Sequence, residues 1–197
     1  MTETYEPTAA TTRLDGGHPV LDLVNTVYGQ VGGPVEHDVL SQPADLVVLA
    51  GRWGLVEHPV PADAGALAAA RSLRAAVDAL LRARLAGTDP PPAALGEIEA
   101  ALRAAYAAGG LVAGAGSLAW TWPGDDPYTP VHRLTVAAVE LLTDPTELGR
   151  LHCCAGCCWL YLDRSRGAGR RWCSMAECGT DAKKRRYVQR RRERRRS

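Results

Sequence analysis

All six cysteines of this 197-residue chain fall between Cys153 and Cys178. No other feature constrains the fold as tightly. Cys154-Ala155-Gly156-Cys157 is a C-x2-C pair, and Cys173-Ser174-Met175-Ala176-Glu177-Cys178 is a C-x4-C pair. Each close pair can curl its backbone around one edge of a tetrahedron, and zinc takes four sulfurs at about 2.3 Å in that geometry. Such a site keeps no open position for water or substrate, so Cys154, Cys157, Cys173 and Cys178 are expected to hold a structural zinc ion. Cys153 with Cys157 is the competing first pair, and His152 is adjacent. The other reading of clustered thiols is a disulfide or redox pair. Against it, no secretory leader precedes residue 20, and no run reaches the roughly 18 apolar residues of a membrane span. A reducing cytoplasm is therefore the expected compartment, where such clusters read as metal ligands.

The chain between the pairs must reach out and return. Trp159-Leu160-Tyr161-Leu162 reads as a strand, Ser165–Gly169 as a turn, and Arg170-Arg171-Trp172 as the returning strand. Ser174 and Glu177 form a capping box that opens a helix, with Cys178 in its first turns. The expected unit is a treble-clef-like finger: a knuckle, a β-hairpin, a second knuckle and a helix.

The net charge of +1 hides a sharp division. Residues 1–149 carry 8 basic and 18 acidic side chains, a charge of −10, whereas residues 150–197 carry 15 and 4, a charge of +11. The surplus is concentrated after Asp181. A fifteen-residue helix spans about 22 Å, enough to follow a groove, and phosphates would relieve the mutual repulsion of its bases while releasing counterions. Lys183, Lys184, Arg185, Arg186, Arg190, Arg191 and Arg194 are the candidate nucleic-acid contacts. DNA is the expected partner, and RNA binding through the same helix is the alternative. A protein-interaction or thiol-redox module is the third reading. A membrane surface is not expected, because the helix has few apolar residues to insert.

The front of the chain predicts a mainly α fold with one short β-hairpin. Residues 1–12 are polar and expected to be disordered. A helix is expected from His18-Pro19 through Val27, with a strand as the alternative because its Val and Thr residues weaken a helix, then a loop at Gly29–Gly33. A second helix follows, with Ser41 as N-cap and Pro43 near its first position. Ala62–Ala86 has the strongest helical stripe, with Leu67, Ala70, Leu73, Val77, Leu80, Leu81 and Leu85 on one face. A helix through Leu95–Tyr106, a hairpin of 111–113 with 118–122, and a helix over 127–142 complete residues 13–149. Residues 150–197 form the finger. Asn25, in an apolar helical face, must be hydrogen-bonded there, either structurally or in a ligand pocket. No P-loop, dinucleotide fingerprint or catalytic triad spacing is present, so no enzyme is expected. A small-molecule sensor or a homodimerisation unit fits the front half.

The run Trp159–Asp163, with Ser165-Arg166, Arg171-Trp172-Cys173-Ser174-Met175-Ala176 and Cys178-Gly179, resembles the CGNR-type zinc finger. Leu21-Asp22-Leu23-Val24-Asn25-Thr26-Val27 resembles the opening motif of the ABATE domain that usually precedes that finger. Together they cover nearly the whole chain. The resemblance implies a transcription regulator, with a mostly helical front domain and a DNA-binding finger whose metal ligands are Cys154, Cys157, Cys173 and Cys178. The name-giving Cys-Gly-Asn-Arg is Cys178-Gly179-Thr180-Asp181 here, so an acid stands where an arginine is usual.

Overall fold

The computed structural model describes residues 6–29, 34–114, 116–167 and 169–195. Residues 1–5 of the expected disordered segment, residues 30–33 of the expected Gly29–Gly33 loop, Ala115 and Ala168 in the expected turns, and residues 196–197 lie outside them.

About half of the chain is helical, with short antiparallel hairpins. Helix α1 (Pro19–Val24) opens with proline in its first turn, and His18 caps it by accepting from the Val20 N–H at 3.3 Å. It is shorter than expected. Asn25 closes it, and Val27–Gly29 continues as strand β1, pairing with β2 (Val35–Asp38). β-Branched Thr26 and Val27 favour the extended chain once a partner strand is available.

Helix α2 is Pro43–Arg52, capped by Gln42 rather than Ser41. The Asp45 carboxylate draws the cap together, accepting from the Ser41 N–H, the Ser41 hydroxyl and the Gln42 N–H at 2.9–3.0 Å. Helix α3 (Ala64–Ala86) starts under an Asp63 cap and ends at Gly87, whose φ of 66° suits glycine. Helix α4 (Pro92–Ala108), the hairpin β3 (Gly110–Ala113) with β4 (Leu118–Thr121), α5 (Thr129–Thr143) and the short α6 (Pro145–Leu148) follow.

The core gathers where α1 packs against α3 and α5. Leu21, Leu23, Leu73, Leu81 and Leu134 are fully buried there. Each such side chain contributes about 1.5–3 kcal/mol of transfer free energy. The same core takes in Leu151, Leu160 and Leu162, so the first strands of the cysteine-rich region are packed into the front half.

The polar N-terminal segment is not disordered over residues 6–12. Ala9 and Thr12 are buried. The Arg52 guanidinium donates to the Ala9 carbonyl at 2.7 Å and the Thr12 carbonyl at 2.8 Å. Composition predicts solvation here, but a cation from α2 gathers the segment's carbonyls.

Asp22, on α1, is buried and accepts from the Gly16 N–H at 2.9 Å. A Cβ on Gly16 would lie 2.7 Å from the Leu21 Cβ and 2.9 Å from Asp22 Oδ1, so only glycine permits this approach. Burial pushes the Asp22 carboxyl up to about 7, against 3.8 for a free aspartate. The folded state thus keeps a proton that the unfolded chain releases. The stability this contributes is full below about pH 4 and is lost as pH rises towards 7. Asp22→Asn is expected to equal the parent near pH 4 and exceed it at pH 8 by a few kcal/mol, at about 1.4 kcal/mol per pKa unit. Denaturant unfolding at both pH values checks this; an equal difference at each would overturn it.

Candidate metal centre

Strand β5 (Leu151–Cys153) pairs antiparallel with β6 (Leu160–Leu162), with Cys153 opposite Leu160. The Cys154 N–H donates to the Trp159 carbonyl at 2.9 Å, and the first cysteine pair turns the corner between the strands. The expected hairpin of Trp159–Leu162 with Arg170–Trp172 does not form. The return is held instead by the buried carboxylate of Asp163, which accepts from the backbone N–H groups of Ser165 at 2.9 Å and Arg170 at 2.8 Å. The Ser165 hydroxyl, together with these backbone bonds, holds the Asp163 carboxyl down to about 2. The Ala155 N–H then reaches the Arg171 carbonyl at 3.0 Å, setting the second pair against the first.

Ser174 is the N-cap, as expected, and accepts from the Glu177 N–H at 3.4 Å. The first turn behind it, Met175–Gly179, is π-helical and runs directly into α7 (Thr180–Arg194).

The four sulfurs that meet are those of Cys154, Cys157, Cys173 and Cys178, all within 4.8 Å of one another. Cys157 Sγ lies 3.7 Å from Cys173 Sγ, which lies 3.8 Å from Cys178 Sγ. Zinc–sulfur bonds of about 2.3 Å at tetrahedral angles require edges of about 3.8 Å, so the cluster has the dimensions of a zinc cage. Two backbone N–H groups, of Gly156 and Cys173, point at Cys154 Sγ from 3.4 and 3.3 Å, as donors to a thiolate do. Hydrogen bonds from Cys157 and Cys173 hold the Cys154 thiol far below the ordinary range, and the contact with Cys154 pushes Cys157 and Cys173 up. Four thiols this close cannot all ionise alone, and a dication relieves that repulsion. A Cβ on Gly156 would lie 2.9 Å from the Cys178 Cβ, so glycine lets the two knuckles close.

The first ligand position therefore belongs to Cys154, not Cys153. Cys153 is exposed and points elsewhere, Cys158 Sγ lies 3.8 Å from the Val27 carbonyl, and the His152 ring stacks on Tyr161. Strand alternation is the reason: successive side chains face opposite ways.

The cage is braced by the front half. Arg13 lies over the Trp159 ring at 4.4 Å and within electrostatic reach of Cys173, setting a positive charge beside the sulfurs. Trp159 Nε1 donates to the Val27 carbonyl at 3.2 Å. Asn25, 2% exposed, takes the Leu160 N–H at 2.9 Å and donates to the Leu160 carbonyl at 2.8 Å. Its side chain thus acts as a strand partner for β6, which is the structural reading of a buried asparagine. The Leu162 N–H donates to the Gly16 carbonyl at 2.9 Å. Arg82 of α3 pairs with Asp78 and donates to the Cys158 carbonyl at 2.8 Å. Asn25 was legible as a buried polar group, but its partner lies 135 residues away and carries no sequence signal.

A cavity of about 330 Å³ opens along this seam, lined by Tyr28, Arg71, Arg74, Arg82, Val24 and Trp159 among others. Its arginines are already engaged: Arg74 grips Asp38 with two 2.7 Å bonds, and Arg71 donates to the Leu40 carbonyl.

Helix α7 buries none of its residues. Lys183, Lys184, Arg185, Arg186, Arg190, Arg191 and Arg194 are all exposed on it. Helical spacing sets Lys183, Arg186, Arg190 and Arg194 along one face and Lys184 with Arg191 on another. Among the described residues, no helix is long and apolar enough to cross a membrane.

Residues 17–145 match the family model named ABATE, described as "putative stress-induced transcription regulator". Residues 150–191 match the CGNR zinc finger. No curated protein matches the chain.

Proposed function

The chain belongs to the ABATE family and carries a CGNR zinc finger, and on that premise we propose that it regulates transcription by laying α7 on duplex DNA in the cytoplasm. One observation carries this reading. A fifteen-residue helix with no buried side chain continues directly from the turn that holds the ligand Cys178. Zinc then fixes the direction of a basic rod, and phosphate attraction supplies the affinity. The chain acts by binding rather than by catalysis.

With about six phosphates neutralised, affinity for a duplex is expected to fall about a thousandfold between 50 and 200 mM salt. Arg186→Glu with Arg190→Glu should weaken binding at low salt and flatten that dependence. Fluorescence anisotropy with a labelled duplex measures both, and a flat salt response in the parent chain sinks the proposal. RNA is the second reading, since phosphate contact alone needs the same composition. Structured RNA competing better than duplex DNA at equal phosphate concentration would select it.

The front half serves as the sensor. The seam cavity supports this, because a small effector seated there touches both α3 and Trp159 of the finger. The β3–β4 hairpin, with Leu111, Leu118 and Trp120 exposed, supports self-association as its other role.

A further inference from the structure

We propose that Cys153 and Cys158, the two thiols left out of the zinc cage, form a pair that hydrogen peroxide converts to a disulfide across the knuckle while zinc stays bound. The inference rests on the four-cysteine zinc reading, which leaves these two sulfurs without a ligand role. Neither belongs to the cluster of Cys154, Cys157, Cys173 and Cys178.

Their placement brings them together. In the β5–β6 ladder Cys153 stands opposite Leu160. The Cys154–Trp159 backbone bond extends that ladder towards the corner. Cys158, in the bend just before Trp159, lies diagonally across that bond from Cys153. Arg82 of α3 meets both ends: it donates to the Cys158 carbonyl at 2.8 Å, and the Cys153 thiol lies within its electrostatic reach. Diagonal neighbours on such a ladder have Cα atoms about 7–8 Å apart, and a disulfide needs about 4.4–6.8 Å, so a shift of an ångström or two closes the gap.

Access differs between the two. Cys153 is the one exposed cysteine of the six, and Cys158 is half-buried behind it. Cys153 therefore meets the oxidant, and Cys158 resolves the product. The O–O bond of the peroxide breaks as Cys153 Sγ takes one oxygen, giving a sulfenic acid and one water. Cys158 Sγ then attacks that sulfur. The S–S bond forms, the S–O bond breaks, and the departing oxygen leaves with the thiol proton as a second water. One peroxide is reduced and two thiols are oxidised.

The test uses the full-length zinc protein, its metal content measured first, so that a failure of the zinc reading shows before any oxidant is added. Hydrogen peroxide is then titrated in, with zinc release followed by a chromogenic chelator and cysteine linkages by peptide mass mapping. The expected result is a Cys153–Cys158 linkage, reversed by a dithiol reductant, at peroxide levels that release no zinc. In Cys158→Ser, Cys153 is expected to remain a sulfenic acid trapped by a dimedone-type reagent; Cys153→Ser should leave Cys158 unmodified at the same dose. Linkages confined to the four ligand thiols, a Cys153 bridge between two chains, or both thiols unchanged until zinc is lost would each overturn the proposal.

Discussion

Cys173→Ser is expected to yield a protein without zinc in which residues 164–194 lose their structure while α3, α4 and α5 keep theirs. Cys173 is fully buried, and its sulfur lies 3.7 and 3.8 Å from those of Cys157 and Cys178. Serine offers a shorter, harder oxygen there and leaves three sulfurs to hold the ion. Structural zinc contributes on the order of 10 kcal/mol to a small metal-dependent fold, and nothing in α7, which buries no side chain, replaces that. The β5–β6 hairpin should survive, because Leu151, Leu160 and Leu162 belong to the main core and Asn25 holds Leu160 by its backbone. Metal analysis should fall from one zinc per chain to almost none. Hydrogen exchange should show protection lost after Asp163 and kept in β6. Protection lost throughout the chain would mean that the ion supports the front half as well.

The second large effect is expected at Asn25. Asn25→Leu keeps the volume but removes both bonds to Leu160. It leaves a buried N–H and a buried carbonyl unpaired, at about 1–3 kcal/mol each. For a chain of this size the melting temperature should drop by roughly 5–15 °C, at about 2–4 °C per kcal/mol. The loss should reach zinc affinity too, because β6 carries Trp159 and the knuckle with it. A chelator competition should show the ion leaving the Asn25→Leu protein more readily. An unchanged melting temperature would mean that water satisfies Leu160 and that the clamp contributes nothing.

The metal centre was almost wholly readable beforehand because its chemistry is local. Two short spacings and the Ser174 cap bring each pair of thiols together over a few residues. The helices of the front half were readable for the same reason: α3 repeats its apolar residues at helical spacing over six turns, although it begins at Ala64 under the Asp63 cap rather than at Ala62. The hairpins of three-residue strands were not. β1, β5 and β6 are too short to show alternation, and the choice of partner for Trp159–Leu162 depends on which backbone lies beside it. Asp163 closes the return loop with its side chain, so Arg170–Trp172 has no ladder to join. Composition also misjudged residues 6–12, which are held by Arg52 from 40 or more positions away.

Spacing alone determined that four cysteines meet around a metal and that a charged helix leaves from them, because both follow from bonds within a few residues. Which sulfur takes the first ligand position, and how the finger is joined to the front half, was decided only when β6 settled against Asn25, Gly16 and α3. The contacts with Asn25 and Gly16 link residues more than a hundred positions apart, and such distant pairings are set by packing of the whole core rather than by any local preference of the chain.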